Sequence, residues 1–488
     1  MKDYLNRCHR MIRRWAQIRE PDHKRRAKNK FLIKKKLNVS SFKIKKNKFY
    51  ECTRSLPLFA KCDVLVIGGG PAGISAALAA QRAGAQTIIM ERMGCFGGVI
   101  TTVGMETIGW YRYEGCVESN GIGIEMERKA AELGGTIKWP YNNSECLDTE
   151  FFKIVSDDLI LSSGVRPLLH AYAVDAITKN GKIIGVVFES KSGRQVIQAE
   201  RVIDCTGDAD IAYFCGTPYK KNHKDDMMGT SMIFSVSGVK KEKFLQHVSQ
   251  SPKTYKDWGG DWQHSDVGKE AELKTPYIEV DLNKKNFRIE GTWSSITDNG
   301  EGKNLNLIYL KGYDGTCVED LTKASMQGRK QCMDALDTLK SHIPGFDEVT
   351  LRNFGMTLGI RDTRKIIGKY NLTEKDVTNE ARFKDSVGIF PEFVDGYNVL
   401  ILPTTGRYFQ VPYGCLVPEN IDNLLVAGRC VAGDDVSHAA MRNMMACTVT
   451  GQAAGVAAAI SLKCNQSIQE VDIKIIQQEL INQGVRIE

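Results

Sequence analysis

The apolar positions between residues 63 and 91 follow a strand pattern, then a helix pattern, then a strand pattern again. Residues 63–67 form a short run of apolar, mostly β-branched side chains, which is typical of a buried parallel strand. A second apolar run covers residues 86–90, with Glu91 directly after it. Between the two runs lie small residues at helical spacing: Ala76, Ala77, Ala79, Ala80 and Ala83. The pattern predicts a strand–helix–strand unit of a parallel α/β sheet.

Three glycines, Gly68, Gly70 and Gly73, lie in the first turn of this unit with the spacing G-x-G-x-x-G. The first glycine permits the tight turn, the second lets the backbone approach a pyrophosphate, and the third lets the helix pack closely on the strand. The phosphates would lie at the helix N-terminus, where free N–H groups and the helix dipole favour anions. Glu91 lies where an acidic side chain accepts hydrogen bonds from a ribose. The segment therefore predicts a dinucleotide-binding site.

The pattern after this unit predicts two helices, a three-stranded meander and a further short strand. These elements are expected at residues 121–133 and 150–163 (helices), 172–177, 183–189 and 195–199 (meander) and 201–205 (strand). Asn180-Gly181 is a strong hairpin signal inside the meander. The last strand ends in the turn Thr206-Gly207-Asp208. This arrangement favours a flavin-binding dinucleotide fold over the fold of a soluble NAD dehydrogenase.

The character of the chain changes at residue 219, where Lys, Asp, Asn and Trp become more frequent. We expect an inserted α+β substrate domain at residues 219–395. Strands at 398–403 and 423–427 then return to the first domain, and a long helix of small residues covers 441–462. The predicted organisation is a basic, disordered extension at 1–57, a first part of the nucleotide-binding domain at 58–218, the substrate domain, and a C-terminal part of the nucleotide-binding domain at 396–488.

The net charge of +8 conceals two regions of opposite sign. Residues 1–50 hold 18 Lys and Arg against 3 Asp and Glu, whereas the rest of the chain holds 48 against 55. The basic tail is compatible with electrostatic binding of nucleic acid or anionic membrane. It fits an organelle-targeting segment poorly, because it is rich in Lys and poor in Ser. The interpretation we favour is an extension without a role, or a start codon assigned too far upstream.

The 14 cysteines are scattered, and no C-x-x-C pair occurs. This argues against zinc ribbons, ferredoxin-type clusters and a dithiol redox motif, so we expect no metal site. No run of about 18 apolar residues occurs, and we expect no transmembrane segment. Without a recognisable signal peptide, the expectation is a cytoplasmic protein with free thiols.

Six ordered motifs between about residue 58 and residue 462 together resemble a known family. They are GGGPAG at 68–73, GCFGG at 94–98, DCTGDADIAYFCGTP at 204–218, GIRDTRKIIGKYNLTEKDV at 359–377, FQVPYGCLVP at 409–418 and NLLVAGRCVAGDDVSHAAMRNMMACTVTGQAAGVAAA at 423–459. The body of the chain resembles FAD-dependent oxidoreductases of the glutathione-reductase-like flavoproteins, which are related to the flavin subunits of fumarate reductases and heterodisulfide reductases. The resemblance implies a Rossmann-like FAD-binding domain, made of a parallel sheet and a β-meander, and FAD as the cofactor.

The resemblance also implies roles for particular residues. Gly68, Gly70 and Gly73 would hold the pyrophosphate of FAD, and Glu91 its adenosine ribose. The chain would pass close to the cofactor at Gly97 and Gly98, and the turn Thr206-Gly207-Asp208 would close over the adenine side. The resemblance places a second cofactor contact at Gly428, Arg429, Gly433 and Asp434. The helix beginning at Met441 would direct its N-terminus at the flavin, where a positive dipole stabilises an anion.

The candidate catalytic residues are Arg361, His438 and Arg442. Arg361 and Arg364 lie close together in an apolar segment, and either planar fork suits a substrate carboxylate. The alternative is that they form ion pairs between domains or touch the FAD phosphates. His438 is a candidate acid or base because imidazole titrates near neutral pH, and a structural histidine is the alternative. Arg442 is expected to face flavin or substrate.

The sequence contains no second G-x-G-x-x-G motif after a strand, so a dedicated NAD(P)H domain is not expected. Electrons would come from the substrate itself or from a separate reductase or ferredoxin, and they would leave to oxygen, a quinone or a protein carrier. The favoured hypothesis is an FAD-dependent oxidoreductase that transfers a hydride between an organic small molecule and flavin N5. The alternative is a flavoprotein that binds nucleic acid or a protein partner through its basic tail, with FAD structural or used in RNA modification.

Overall fold

The structure is a computed structural model of the chain. It describes residues 43–45, 48–50, 55–106, 117–138, 145–250, 255–256, 275–276, 278–282, 285–289, 296–397, 399–401 and 406–488. The chain divides into two compact units, Met1–Pro57 and Leu58–Glu488. In the first unit, the described residues form the antiparallel strands Lys43–Lys45 and Lys48–Tyr50. The rest of the basic tail lies outside the described residues.

A seven-stranded main sheet forms the centre of the second unit. Its strands, in spatial order, are Arg166–Leu168, Thr87–Met90, Leu58–Ile67, Gly193–Asp204, Lys182–Ser190 and Tyr172–Lys179, with Leu424–Val426 also paired to Gly193–Asp204. Parallel pairing joins Arg166–Leu168 to Thr87–Met90, Thr87–Met90 to Leu58–Ile67, and Gly193–Asp204 to both Leu58–Ile67 and Leu424–Val426. The meander strand Lys182–Ser190 pairs antiparallel with both of its neighbours, Gly193–Asp204 and Tyr172–Lys179. The predicted α/β class, with a parallel sheet extended by a meander, is confirmed.

The strand Gly193–Asp204 corrects one detail of the prediction. Sequence patterning indicated two strands, at 195–199 and 201–205, but the structure has one strand of 12 residues. No turn residue interrupts the segment, so its backbone stays extended. Its first part pairs with the meander and its second part with Leu58–Ile67. This strand therefore joins the meander to the parallel sheet, and its end places the turn at Thr206 next to the carboxyl ends of the parallel strands.

Two helices of small residues pack closely beneath the glycine-rich turn. A Cβ on Gly451 would lie 2.1 Å from the carbonyl oxygen of Ala72, and a Cβ on Gly455 would lie 2.2 Å from that of Ala76. These glycines let Met444–Lys463 approach Pro71–Arg82 at backbone contact. Met444–Lys463 is long and apolar enough to span a membrane by composition, but 94% of its most apolar window is buried inside the fold.

The long helix expected at 441–462 is Met444–Lys463, which begins three residues later, and a separate short helix, Asp435–Met441, precedes it. The break falls at Arg442 and Asn443, because Asn443 has extended backbone angles and serves as the N-cap of the second helix. The remaining helices of the second unit are Ile122–Glu132, Thr149–Ser163, Asp210–Phe214, Lys241–Gln250, Val318–His342, Glu374–Thr378 and Ile473–Asn482, with a π turn at Val99–Val103 and a 3₁₀ turn at Tyr413–Leu416.

A second sheet has its own hydrophobic cluster. Thr230–Ser237 is its central strand, and Glu301–Leu310 and Thr350–Phe354 pair with it antiparallel. The 25-residue helix Val318–His342 packs on these strands. The buried residues of this cluster run from Met232 to Leu358, whereas Ile366 and Phe390 belong to the cluster of the main sheet. The boundaries of the substrate domain stay a prediction.

Several short strand pairs complete the second unit. They are Thr136–Lys138 with Glu145–Leu147, Tyr219–Lys220 with Lys365–Ile366, Tyr255–Lys256 with Thr275–Pro276, Ile278–Leu282 with Lys285–Ile289, Ser386–Pro391 with Tyr408–Pro412, and Val394–Gly396 with Val399–Ile401. The strand expected at 398–403 was predicted to return to the first domain. Instead, the chain turns at Tyr397, and Val399–Ile401, the described part of the expected strand, forms a hairpin with Val394–Gly396.

Candidate active site

A cavity of about 730 Å³ lies between the main sheet and the second sheet. One side is formed by the carboxyl ends of Leu58–Ile67, Thr87–Met90 and Gly193–Asp204, with the loops that follow them. The other side comes from the second sheet and from residues 357–361. Ligands of open α/β sheets bind at the carboxyl ends of the strands, so this is the expected place for a cofactor.

The glycine-rich turn has no room for side chains at two of its positions. A Cβ on Gly68, whose φ is +100°, would lie 2.3 Å from the carbonyl oxygen of Cys205. A Cβ on Gly73 would lie 1.7 Å from the carbonyl oxygen of Gly68. Gly68 lines the cavity, whereas Gly73 packs the helix onto the turn behind it. These two glycines therefore shape the turn from opposite sides.

Gly70 and Gly98 bring two loops into backbone contact at the cavity. A Cβ on Gly98 would lie 2.7 Å from the Cα of Gly70, and both residues line the cavity. Gly97 supports this contact from behind, since its N–H donates to the carbonyl oxygen of Gly69 at 2.8 Å. We call Gly68, Gly70 and Gly98 the glycine cradle. Gly97 is not among the residues that line the cavity.

Glu91 fixes the cradle to the neighbouring strand. Its Oε2 accepts a hydrogen bond from the N–H of Gly69 at 2.7 Å, and its Oε1 accepts one from the N–H of Met93 at 2.8 Å. The side chain lines the cavity at the end of Thr87–Met90. Its carboxylate is thus held at the edge of the sheet, where the ribose contact is expected.

Thr206, Gly207 and Asp208 all line the cavity, and a buried acid that sequence reasoning missed holds their turn. Asp204 accepts hydrogen bonds from the N–H and hydroxyl of Thr206 at 3.0 and 2.7 Å, and from two N–H groups of the following helix. Burial raises the pKa of Asp204. An Asp two residues before a Thr is an Asx-turn signal that would have identified it.

The structure does not bring Gly433 and Asp434 to the cavity, in contrast to the prediction. Asp434 is the N-cap of Asp435–Met441 and accepts from the N–H of Ser437 at 2.8 Å and from the N–H of Glu374 at 2.7 Å. Its carboxylate is therefore occupied by helix capping. Gly428 and Arg429 line the cavity instead, and Arg429 pairs with Asp208 at 2.7 Å. The capping pattern Asp-x-x-Ser was visible in the sequence.

His438 is buried behind the cavity wall and does not line it. Its Nε2 lies 2.9 Å from the carbonyl oxygen of Arg361. Burial, and then the cation of Lys365, lower the pKa of His438 well below its ordinary value. The structure thus places the ring nitrogen against the backbone of Arg361, outside the cavity lining, and the role of His438 as an acid or base stays a prediction.

The three arginines of the prediction have different surroundings. Arg361 and Arg442 line the cavity, and Arg442 pairs with Asp395 at 3.0 Å. Arg364 is outside the cavity lining, because its Nη1 donates to Asp210 at 3.0 Å and its guanidinium lies over the ring of Tyr213 at 4.2 Å. Of the two neighbouring arginines, only Arg361 is placed to meet a ligand.

A buried polar network that sequence reasoning missed adjoins the cavity. Lys365 donates to Asp362 at 2.8 Å, and both side chains are almost fully buried. Tyr397, which lines the cavity, donates its hydroxyl hydrogen to the other oxygen of Asp362. Burial and the Asp362 carboxylate raise the pKa of Tyr397. No local sequence signal identifies this network, because Asp362 and Tyr397 are 35 residues apart.

Two helix N-termini meet the cavity. Pro71–Arg82 begins at the cradle residue Gly70, and Met444–Lys463 begins at Asn443, which also lines the cavity. Gly70 has no side chain with which to cap its helix, and the side chain of Asn443 makes no capping hydrogen bond. The first N–H groups of a helix lack intrahelical partners, and the dipole there attracts negative charge. Among the residues that the structure describes, no cluster of His, Cys, Asp or Glu is placed to hold a metal ion.

The cradle, the two helix N-termini and the Glu91 carboxylate match the donors and acceptors of a dinucleotide with a pyrophosphate and a ribose. A family model described as FAD dependent oxidoreductase matches residues 63–480. The chain belongs to the FAD-dependent oxidoreductase family. It is therefore an FAD-dependent enzyme, and the residues that line the cavity fit FAD as its cofactor.

Curated relatives of this FAD-dependent enzyme match only part of it. Digeranylgeranylglycerophospholipid reductase 2 of Methanopyrus kandleri is 28% identical over 159 residues, which cover 30% of this chain and 37% of that protein. The 6-methylpretetramide 4-monooxygenase of Streptomyces rimosus is 27% identical over 181 residues, which cover 33% of this chain and 42% of that protein. These two matches thus cover less than half of the length of either relative.

Among solved structures, a geranylgeranyl bacteriochlorophyll reductase-like protein of Thermoplasma acidophilum aligns with 86% of this chain and 82% of its own. The TM-score is 0.42 and the sequence identity is 13%. These relatives include a reductase and a monooxygenase, so they leave the reaction open. The family match begins after the basic tail, and the nucleic-acid or partner-binding alternative gains no support from the comparisons.

Proposed function

We propose that this enzyme transfers a hydride between an organic small molecule and its FAD. The observation that carries the proposal is that one cavity combines the glycine cradle with a polar wall from the second sheet. That wall includes Ser231, Asn306 and Tyr309. When bound, FAD supplies a ring that accepts or donates a hydride at N5. A site that holds cofactor and substrate side by side supports direct transfer between them.

Two side chains of the polar wall hold each other in place. The hydroxyl of Ser231 donates to the side-chain oxygen of Asn306 at 2.8 Å. The two residues lie on neighbouring strands of the second sheet, Thr230–Ser237 and Glu301–Leu310, so the sheet sets their separation. Such fixed polar groups orient a substrate without reorganisation during the reaction.

The N-terminus of Met444–Lys463 contributes electrostatically. Its cap residue Asn443 lines the cavity, and its first N–H groups are not satisfied by a side-chain cap. Negative charge that develops next to this terminus is stabilised by the helix dipole. A flavin held beside this terminus would supply such charge when it accepts a hydride. The helix terminus therefore supports a role in hydride transfer.

The other half-reaction is assigned to an external electron carrier. The sequence has no second G-x-G-x-x-G motif for a nicotinamide nucleotide domain. The proposed partners are therefore a small-molecule substrate and a separate electron donor or acceptor.

The test is anaerobic reduction of the purified holoenzyme, followed by its flavin absorbance. Hydroxy acids, amines and, in the reverse direction with reduced enzyme, enoates are added one at a time, with NADH as a separate addition. We expect one organic class to change the flavin redox state, with a primary kinetic isotope effect when the transferred hydrogen is deuterium. If NADH or NADPH alone reduces the flavin, and a separate aerobic reaction under labelled dioxygen puts the label into the product, the enzyme is a monooxygenase and the proposal is overturned.

A further inference from the structure

Arg361 is held rigidly in the cavity wall. Its Nη1 donates to the carbonyl oxygen of Gly229 at 2.6 Å, and its guanidinium lies over the ring of Tyr309 at 4.7 Å. The carbonyl oxygen of Arg361 itself is 2.9 Å from the Nε2 of His438. Three separate segments therefore fix its side chain and backbone. A guanidinium held in this way loses little conformational entropy when a ligand binds.

Arg361 differs in its charge environment from the other arginines in and beside the cavity. A carboxylate oxygen lies within 3.0 Å of three of them, in the pairs Arg364–Asp210, Arg429–Asp208 and Arg442–Asp395. Arg92 also lines the cavity, but it is solvent-exposed and so not desolvated as Arg361 is. Among the described residues, no carboxylate lies within ion-pair distance of Arg361, and its Nε and Nη2 have no hydrogen-bond partner. In this part of the wall, the two positive charges of Arg361 and Arg442 are therefore balanced by one negative charge, the carboxylate of Asp395.

An excess cation in a cavity wall is unfavourable unless a counter-charge arrives. Arg361 is half-buried, and burial, together with the nearby cation of Arg442, lowers its pKa from the ordinary value. Arginine nevertheless stays protonated in proteins. A partly desolvated charge without a partner is costly, and a bound anion removes that cost.

Two further carboxylates line the cavity, but their surroundings differ. Asp225 and Asp226 are solvent-exposed, and Asp225 is 3.3 Å from the ring of His223. Exposed charges are strongly screened by water and salt, so they do not replace a partner for Arg361. The phosphates of FAD have their own binding groups at the cradle and the first helix N-terminus, on the main-sheet side of the cavity.

We propose that the substrate of this enzyme is an organic anion, a carboxylic acid in the simplest case, whose carboxylate is bound by Nε and Nη2 of Arg361. This inference rests on the proposed function, since it places the anion in the cavity that also holds FAD. A carboxylate accepts two parallel N–H hydrogen bonds from a guanidinium fork. The neutral amide of the same acid lacks both the charge and the second acceptor.

The test measures binding to the FAD-loaded enzyme with three named acids, benzoate, cinnamate and glutarate, each beside its amide. Binding is followed by the change in flavin absorbance and by the shift in melting temperature. We expect at least one acid to bind at least about tenfold more tightly than its amide. Arg361→Gln should weaken the binding of that acid by about tenfold or more, and Arg361→Lys should weaken it less, because charge remains while the planar fork is lost.

A surface arginine provides the matched control. Arg352 pairs with Glu301 at 2.8 Å and its side chain is 42% exposed, so Arg352→Gln should leave the binding of the acid unchanged. FAD affinity should also be unchanged in Arg361→Gln. The proposal is overturned if no acid binds better than its amide, or if Arg361→Gln weakens FAD as much as it weakens the acid, since Arg361 would then bind phosphate.

The two proposals fail in distinguishable ways. If an acid binds through Arg361 but no organic compound changes the flavin redox state, the anion site stands and hydride transfer fails. If a neutral substrate reduces the flavin equally well in the wild type and in Arg361→Gln, hydride transfer stands and the anion site is wrong.

Discussion

Replacing Gly98 by Ala tests whether the glycine cradle holds the cofactor. Gly98 has φ +51° and ψ −121°, and it forms the N-cap of the turn Val99–Val103. A Cβ there would lie 2.7 Å from the Cα of Gly70. Carbon atoms without a bond between them prefer about 3.5–4.0 Å, so the two loops must separate by roughly 1 Å. The atom in the way is the backbone Cα of Gly70, which cannot move aside by a change of side-chain rotamer.

The magnitude follows from two separate contributions. A residue held in a sparsely populated backbone region loses about 1–3 kcal/mol of stability, which lowers the melting temperature whether or not FAD is present. If the cradle holds the pyrophosphate as the sequence predicts, separation of the loops would move backbone N–H groups away from it, and one hydrogen bond to a charged group is worth about 1.5–3 kcal/mol. The second contribution alone weakens FAD binding by roughly 12- to 150-fold.

Gly216→Ala is the matched control. Gly216 has φ +71°, and a Cβ there would have no heavy atom within 4 Å. It therefore introduces backbone strain without disturbing the cradle. FAD-free protein of the wild type and both variants is titrated with FAD, and flavin fluorescence gives the Kd. We expect both variants to melt at a lower temperature than the wild type, but only Gly98→Ala to bind FAD weakly.

The reasoning is refuted if Gly98→Ala binds FAD within about threefold of the wild type, which is less than 1 kcal/mol. It is equally refuted if Gly216→Ala loses as much affinity as Gly98→Ala. In the latter case general destabilisation, rather than the contact between Gly98 and Gly70, would account for the change.

Two further predictions concern buried charge. Lys365→Met leaves the buried Asp362 carboxylate without its cation and should cost about 3–5 kcal/mol of unfolding free energy, whereas the double variant Lys365→Met/Asp362→Leu should recover most of it. Denaturant melts of the three proteins check this, and equal losses in the single and double variants would contradict it. Burial raises the pKa of Glu106 to about 7, from an ordinary value of 4.5, so the fold favours its protonated form. That contribution to stability is complete below about pH 4.5 and is lost as the pH rises through 7. The melting temperature should fall less steeply between pH 5 and pH 8 in Glu106→Gln than in the wild type, and identical slopes in the two proteins would show that Glu106 does not titrate in this range.

The parts of this protein that the sequence determined are those in which the interacting groups are close along the chain. Gly68 and Gly73 contact each other across five positions, and the steric need for glycine at both follows from a local turn. The small-residue helix, the meander and Glu91 at a strand end were likewise visible in short periodic patterns. For that reason the FAD-binding fold and its cradle could be predicted before the structure.

The tertiary structure decided which polar groups face the ligand. Arg361 and Arg364 are three positions apart and look equivalent in sequence, but Asp210 neutralises only Arg364, from 154 residues away. His438 is a candidate acid or base by sequence, and only the fold shows that its ring lies against the carbonyl oxygen of Arg361, 77 residues earlier. Steric and hydrogen-bonding preferences of the backbone act within a few residues, whereas the pairing of charges depends on which distant segments fold against one another. The sequence alone therefore predicted where the cofactor would bind, and only the packing of distant segments separated Arg361 from the arginines that carboxylates neutralise.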